Sequence, residues 1–403
     1  MSSSTPKTEI KSALVIGGCG SLGHRIVEQL LELKPTPQVA VFDIQNKTNR
    51  IQGVEYYNVD ITCKDQTYSS LIKSRPEVIF HTASPPAGLS DLPLYMRVNV
   101  EGTRNLLECA SVSCDLFCRL FQVLACMNDT MACIFNILDD AEKNILQELG
   151  VKAFVYTSSA SVVHDSVSDL TEGDDSLPLL YLPHQTEIYS HSKAVADQLV
   201  LDANSNTSGG LLTTCIRPTT MFGEDDAVTR AIVERAAEGK LKWQVGNGNN
   251  LCDWTFNENV IHAQFLAAEA LLNSPAQNSA SEDMRVAGQG FIITNDEHIS
   301  FWKFARMIGN AAGYITMEED VRSMPKGIGL MVAAIAEWVT WIISFGRQKS
   351  RLNRVGIKFS CMTRTFRIDK AKRVLGYKPK VSLLEAIERS GKSFRRHESK
   401  KKA

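Results

Sequence analysis

The sequence predicts an α/β protein: a Rossmann-type doubly wound parallel sheet with a smaller C-terminal substrate-binding lobe. Three observations predict it. A glycine-rich turn joins an apolar strand to a helix within Ala13–Gly23, an acid closes the next strand at Asp43, and Tyr189 and Lys193 open a helix just after a serine-rich strand end. The chain has 403 residues, enough for a nucleotide-binding domain over 10–225, a lobe over 226–391 and a basic tail over 392–403.

Composition narrows the function classes. With 44 basic and 45 acidic residues, nothing points to a nucleic-acid partner. Ten cysteines without a Cys-x-x-Cys pair argue against zinc, any other metal and a disulfide framework, and fit a reducing compartment. The first apolar run belongs to the nucleotide-binding strand, so no signal peptide is expected.

Gly17, Gly20 and Gly23 are spaced as a dinucleotide fingerprint, with Ser21 and Leu22 between the last two. The first glycine permits the tight turn, the second the approach of a pyrophosphate, and the third close packing of the helix; the helix, expected over 24–33, points its free amides at the phosphates. Val39–Asp43 reads as the second strand, twenty residues beyond Gly23 at its acid. Asp43 is placed to accept both ribose hydroxyls and to repel a 2′-phosphate, so NAD is expected in preference to NADP, which stays open as a second cofactor. Val54–Ile61 is a short strand whose end, Asp60 and Ile61, either meets the adenine or is solvated. Glu77–Ala83 is the next strand, stopped by Pro85 and Pro86, with small Ala83 and Ser84 leaving room for the cofactor. A helix is expected over 99–110, with Asn99 as its cap or as a backbone anchor near the site.

Strand and helix alternation breaks at Ser111 and resumes at Gln147, so 111–146, with four of the ten cysteines, reads as an insertion into the fold. Val151–Tyr156 is a strand ending in Thr157-Ser158-Ser159-Ala160-Ser161. Tyr189 and Lys193, four apart, share one face of the following helix. A free phenol, with a pKa of roughly 10, is a poor base at neutral pH, and a neighbouring ammonium with a positive nicotinamide lowers that value. The expected roles are proton acceptor for Tyr189, charge and ribose anchor for Lys193, and substrate-oxygen donor for Ser159, with Ser158 and Ser161 as alternatives. Leu211–Gly223 holds a strand whose Pro218 marks the exit to the lobe; a helix to Leu272, a strand over 290–295 and a helix from Phe301 follow.

Gly17–His24, His81–Pro85, Asn99–Arg104, Tyr156–Val162, Tyr189 with Lys193, and Arg217-Pro218 with Phe222-Gly223 together resemble the extended short-chain dehydrogenase/reductases. Within these the chain is most similar to the 3β-hydroxysteroid dehydrogenase branch and its fungal sterol-4α-carboxylate 3-dehydrogenases (decarboxylating), over Ser12–Gly391 outside the insertion. The resemblance implies dinucleotide contacts from Gly17, Gly20, Ser21, Leu22, Gly23, Asp43, Asp60, Ile61, Ala83, Ser84, Tyr189, Lys193 and Pro218. It implies oxidation of the 3β-hydroxyl of a 4α-carboxysterol or related triterpenoid, with loss of carbon dioxide from the resulting β-keto acid. It also implies a place on the cytosolic face of the endoplasmic reticulum membrane, and allows a homodimer or a complex with other enzymes of sterol C4 demethylation. Gly327–Gly346 agrees, being apolar and about 30 Å long as a helix, with Glu337 at its middle and Arg347, Lys349, Arg351 and Arg354 beyond it. It is expected to lie in the membrane surface, with a substrate-tunnel or core helix and a full crossing as the alternatives. The competing functions are hydride transfer on another substrate, a 3β-hydroxysteroid or a nucleotide sugar, and a non-catalytic dinucleotide sensor.

Overall fold

The computed structural model describes residues 9–111, 150–205, 207, 210–273, 281–348, 350 and 352–402. Seven parallel strands form the central sheet: β1 (Ser12–Ile16), β2 (Gln38–Asp43), β3 (Glu55–Asn58), β4 (Val78–His81), β5 (Ala153–Thr157), β7 (Leu212–Pro218) and β11 (Gln289–Ile293), in the order β3-β2-β1-β4-β5-β7-β11. All but the edge strand β3 are largely buried on both faces, as a parallel sheet between helix layers requires. Alternate residues separate into two cores: Ala13, Val15, Val41, Phe80 and Val155 on one side, Leu14, Ile16, Phe42, Ile79 and Phe154 on the other. The period of two along the strand thus decides which helix layer each side chain meets.

Helix α1 (Ser21–Glu32) follows β1 directly and buries Ile26, Val27 and Leu30 in the first core. Helix α2 (Lys64–Ser74) connects β3 and β4. Helix α3 starts at Leu92 rather than Asn99, because Asp91 accepts from the Leu94 amide at 2.9 Å and Pro93 suits a first turn. It widens into a π-helix over Met96–Gly102 and continues as an α-helix over 103–111. Asn99 therefore lies inside the helix and caps nothing. The predicted insertion falls almost wholly outside the described residues.

The expected division at residue 225 does not coincide with the sheet. Strand β11 pairs with β7 in parallel register, Gln289 to Thr214 through Ile293 to Pro218, and the helix Asn257–Leu272 supplies Val260, Ile261 and Phe265 to the first core. The nucleotide-binding layer is completed by residues from the range assigned to the lobe, because a seventh strand and its covering helix bury apolar surface that β7 would otherwise expose. The rest of the lobe is built on a small sheet of Leu170–Gly173, Leu251–Phe256, His298–Ser300 and Arg364–Phe366, with Thr220–Phe222 beside it, packed by Phe222, Trp254, Phe256 and Phe304. The tail does not leave as a free strand: Leu383–Lys402 is helical.

The apolar stretch forms the helix Lys326–Ile343, with only 11% of it buried. Met331, Ile335, Trp338, Trp341, Ile342 and Ile343 are exposed, which rules out a core helix. By length and composition it is the one helix among the described residues able to cross a membrane.

Candidate active site

The sheet order reverses between β1 and β4, and the crevice at their carboxyl ends is a cavity of about 590 Å³. Gly17, Gly20, Asp43, Asp60, Ile61, Ala83 and Ser84 all line it. Gly17 has φ +81°, and a Cβ there would lie 2.9 Å from the Ala83 backbone. At Gly23 a Cβ would lie 2.3 Å from the Gly17 carbonyl oxygen, so this glycine packs the helix on the turn itself rather than on the strand. No side chain caps α1, which leaves its first-turn amides for an anion. Asp43 accepts from the Cys19 amide and the Gln45 amide, each at 3.0 Å. A carboxylate offers about four lone-pair sites, so two remain for the hydroxyls of a ribose. These features fit a dinucleotide. Ser21, Leu22, Gly23, Tyr189, Lys193 and Pro218 do not line the cavity: Leu22 packs against the core, and Lys193 and Pro218 are buried. Thr82, Arg97 and Val98 do line it and were not singled out from sequence, although the last two precede Asn99 in a motif that was.

Tyr189 is in the first turn of α4 (Ile188–Asp202). Its ring meets Tyr95 edge-on at 5.5 Å between centroids, and the Tyr95 hydroxyl donates to the Pro86 carbonyl at 2.6 Å and accepts from the Leu89 amide at 3.0 Å. Tyr95 thus pins the segment after β4 over Tyr189. Burial pushes the Tyr189 phenol up to about 12, against a hydrogen bond from Ser84 that lowers it.

Lys193, one turn on, is 2% exposed and donates to the Thr157 carbonyl at 2.7 Å and the Tyr156 hydroxyl at 3.1 Å. Burial brings its amine down to about 7, partly offset by Asp197. The expected lowering of the Tyr189 pKa by Lys193 is absent in this state, since the amine is engaged by Thr157 and Tyr156 and the phenol is dominated by desolvation. Asp197 is itself held by Arg217, at 2.7 and 3.0 Å. Asn99 donates to the Ser192 hydroxyl at 2.9 Å, tying α3 to α4 beside Lys193.

The serines after β5 form a hydrogen-bonded chain. Ser190 donates to the Ser161 hydroxyl at 2.9 Å, Ser161 and Ser159 hydroxyls lie 2.9 Å apart, and the Ser161 amide donates to the Ser159 oxygen at 3.2 Å. Ser159 thus accepts from the Ser161 amide, and either hydroxyl of the Ser159–Ser161 pair can donate to the other. Ser158 is 3% exposed, and its hydroxyl has no partner among the described residues.

A second cavity, of about 650 Å³, is bounded by Gly88–Ser90, Thr186–Ile188, one side of the apolar helix, Gln348, Ser350 and Asn353–Val355. Leu89 lines both cavities, and Ile188 next to Tyr189 lines the second. Among the described residues no group of three or more His, Cys, Asp or Glu is placed to hold a metal.

Fold and site define a dinucleotide-dependent oxidoreductase with a Tyr-x-x-x-Lys pair at its centre. The chain belongs to the 3-beta hydroxysteroid dehydrogenase/isomerase family, which it matches over residues 14–121 and 123–323. It is 31% identical to a sterol-4-alpha-carboxylate 3-dehydrogenase, decarboxylating, of Candida albicans over 94% of this chain and 96% of that protein. It is 32% identical to the protein of that description from Homo sapiens over 96% of this chain and 90% of that one. UDP-glucose 4-epimerase from Thermus thermophilus, solved with NAD, shares the fold at TM-score 0.62 and 18% identity, over 95% of this chain and 99% of that one.

Proposed function

We propose that the protein is an NAD-dependent sterol-4α-carboxylate 3-dehydrogenase, decarboxylating, acting on a sterol or related triterpenoid. The observation that carries this is that the dinucleotide crevice adjoins a second cavity walled by the exposed apolar helix, with Leu89 lining both and Ile188, the neighbour of Tyr189, lining the second. A nucleotide sugar has no use for such a wall. A sensor has no use for Tyr189, Lys193 and the Ser159 chain together.

The dinucleotide, when bound, supplies the hydride acceptor. Tyr189 takes the proton of the 3β-hydroxyl, and Ser159, whose oxygen accepts from the Ser161 amide, donates to the substrate oxygen. As an ammonium, Lys193 has a third donor left for the ribose after Thr157 and Tyr156. Once the C3 oxygen is a ketone, the bond to the C4 carboxylate breaks and its electrons pass to the ketone as an enolate, so the protein needs only to hold the β-keto acid and later return a proton.

Asp43 supports NAD over NADP. The exposed helix supports attachment to the cytosolic face of the endoplasmic reticulum membrane, where lipid would be a partner; a homodimer and a complex with other sterol C4-demethylation enzymes belong to the same reading. Incubation with NAD and a 4α-carboxysterol labelled in its carboxyl group tests the function: NADH and labelled carbon dioxide are expected in equal amounts, and NADH without carbon dioxide would leave a simple 3β-hydroxysteroid dehydrogenase.

A further inference from the structure

The second cavity contains an ion pair that the chemistry above does not use. Glu337, in the apolar helix, accepts from the Arg354 amide at 2.7 Å and from Arg354 Nε at 2.7 Å. Both residues line the cavity, with Trp338 and Trp341 on the same helix and Leu89 and Ile188 facing them from the Tyr189 side. Arg354 therefore already presents a carboxylate-binding pair, a backbone amide and a guanidinium N–H, and in this structure a carboxylate from the chain fills it. The pair is open on its arginine side: the Arg354 side chain is 61% exposed and that of Glu337 27%. A charge in the middle of an apolar helix is costly where that helix meets lipid, and its retention beside a cavity calls for a ligand-facing role.

We infer that this cavity is the entrance chamber for the carboxylated sterol, in which the substrate carboxylate displaces Glu337 from Arg354 while Trp338 and Trp341 cover the apolar ring system. The inference rests on the proposed substrate class and adds to it the residues that read the carboxylate. Exchange of one carboxylate for another keeps the charge balance around Arg354, and the freed Glu337 turns to solvent along the helix face. Arg is suited to the task, since its planar N–H groups meet a carboxylate at two points. The contact is made before hydride transfer, so it belongs to binding and not to the chemical step.

The test compares a 4α-carboxysterol with the same 3β-hydroxysterol lacking the carboxyl group, by intrinsic tryptophan fluorescence titration and by kcat/KM with NAD. Arg354→Gln is expected to lower the preference for the carboxylated ligand at least tenfold in both readouts, through Kd and KM rather than kcat, and Arg354→Lys to restore part of it. Glu337→Gln, which removes the competing carboxylate, is expected to tighten the carboxylated ligand. A preference unchanged in Arg354→Gln, or equal losses for both ligands, would overturn the inference. A wild-type protein that binds the carboxysterol selectively through Arg354 but never turns it over would sink the proposed function while leaving the chamber in place.

Discussion

At the scale of single residues, burial sets the electrostatics of Tyr189 and Lys193. Desolvation holds the phenol at about 12 and the amine at about 7, so each is biased toward its neutral form. A base must lose its proton to act, so oxidation should accelerate as pH rises. The positive nicotinamide should move the Tyr189 titration downward. Phenolate absorbance of the wild type minus that of Tyr189→Phe, titrated with and without NAD, is expected to show the midpoint falling on binding, and an unmoved midpoint would contradict the assignment. Tyr189→Phe should cut kcat by roughly a thousandfold, within the usual range for losing a general base, and leave the Kd for NAD near that of the wild type. Asp43 is the other residue with a sharp expectation. Its two remaining acceptor sites are worth charge-assisted hydrogen bonds to a ribose, so Asp43→Ala should reduce the ratio of kcat/KM for NAD over NADP by roughly tenfold or more. A wild type that already prefers NADP would refute the reading.

At the scale of elements, Lys326–Ile343 is the informative helix. Burial of a continuous apolar face is what normally stabilises a helix of this composition, yet Trp338 is 67% and Trp341 62% exposed. Its pairing with Arg354 and its place against the second cavity fix the side that carries Ala334, Glu337, Trp338 and Trp341, and the proposed membrane contact would cover the neighbouring face, where Met331, Ile335 and Ile342 are exposed. Met331→Ser, Ile335→Ser and Ile342→Ser together, all exposed and none of them lining the second cavity, should move the protein from the membrane pellet to the supernatant while circular dichroism stays that of a folded protein. Unchanged sedimentation of the folded variant would reassign the face to another partner. Helix α3 shows what a sequence reading of elements misses. The motif around Asn99 was legible, but its register was not, because Asp91 starts the helix earlier and the π-helix over Met96–Gly102 turns Asn99 toward Ser192.

At the scale of the whole molecule, β4 and β5 are adjacent and parallel, Val78 to Ala153 through His81 to Tyr156, with the helix over 103–111 between them in sequence. Such a crossover needs only a short connection. A chain joining Ala110 directly to Gln147 is therefore expected to keep the thermal midpoint of the full chain or exceed it, and to bind NAD. A soluble deletion variant that is folded but no longer binds NAD would show that 111–146 belongs to the functional structure.

The local chemistry was decided by the sequence itself: the glycine turn, the acid closing β2, the serine-rich end of β5 and the Tyr189–Lys193 spacing each act within a few residues of chain, where strand and helix periods already fix direction. Seven of the expected dinucleotide residues accordingly line one cavity. Tertiary structure alone decided what depends on pieces far apart in sequence. It gave β11 and the helix Asn257–Leu272 to the nucleotide-binding layer, turned the Lys193 amine onto Thr157 and Tyr156, placed Tyr95 over Tyr189, and brought Arg354 to Glu337 beside the second cavity. The reason is physical. A strand or a turn is specified by neighbours along the chain, whereas burial, desolvation and the partner of a charge are set by whatever surface the fold brings against it.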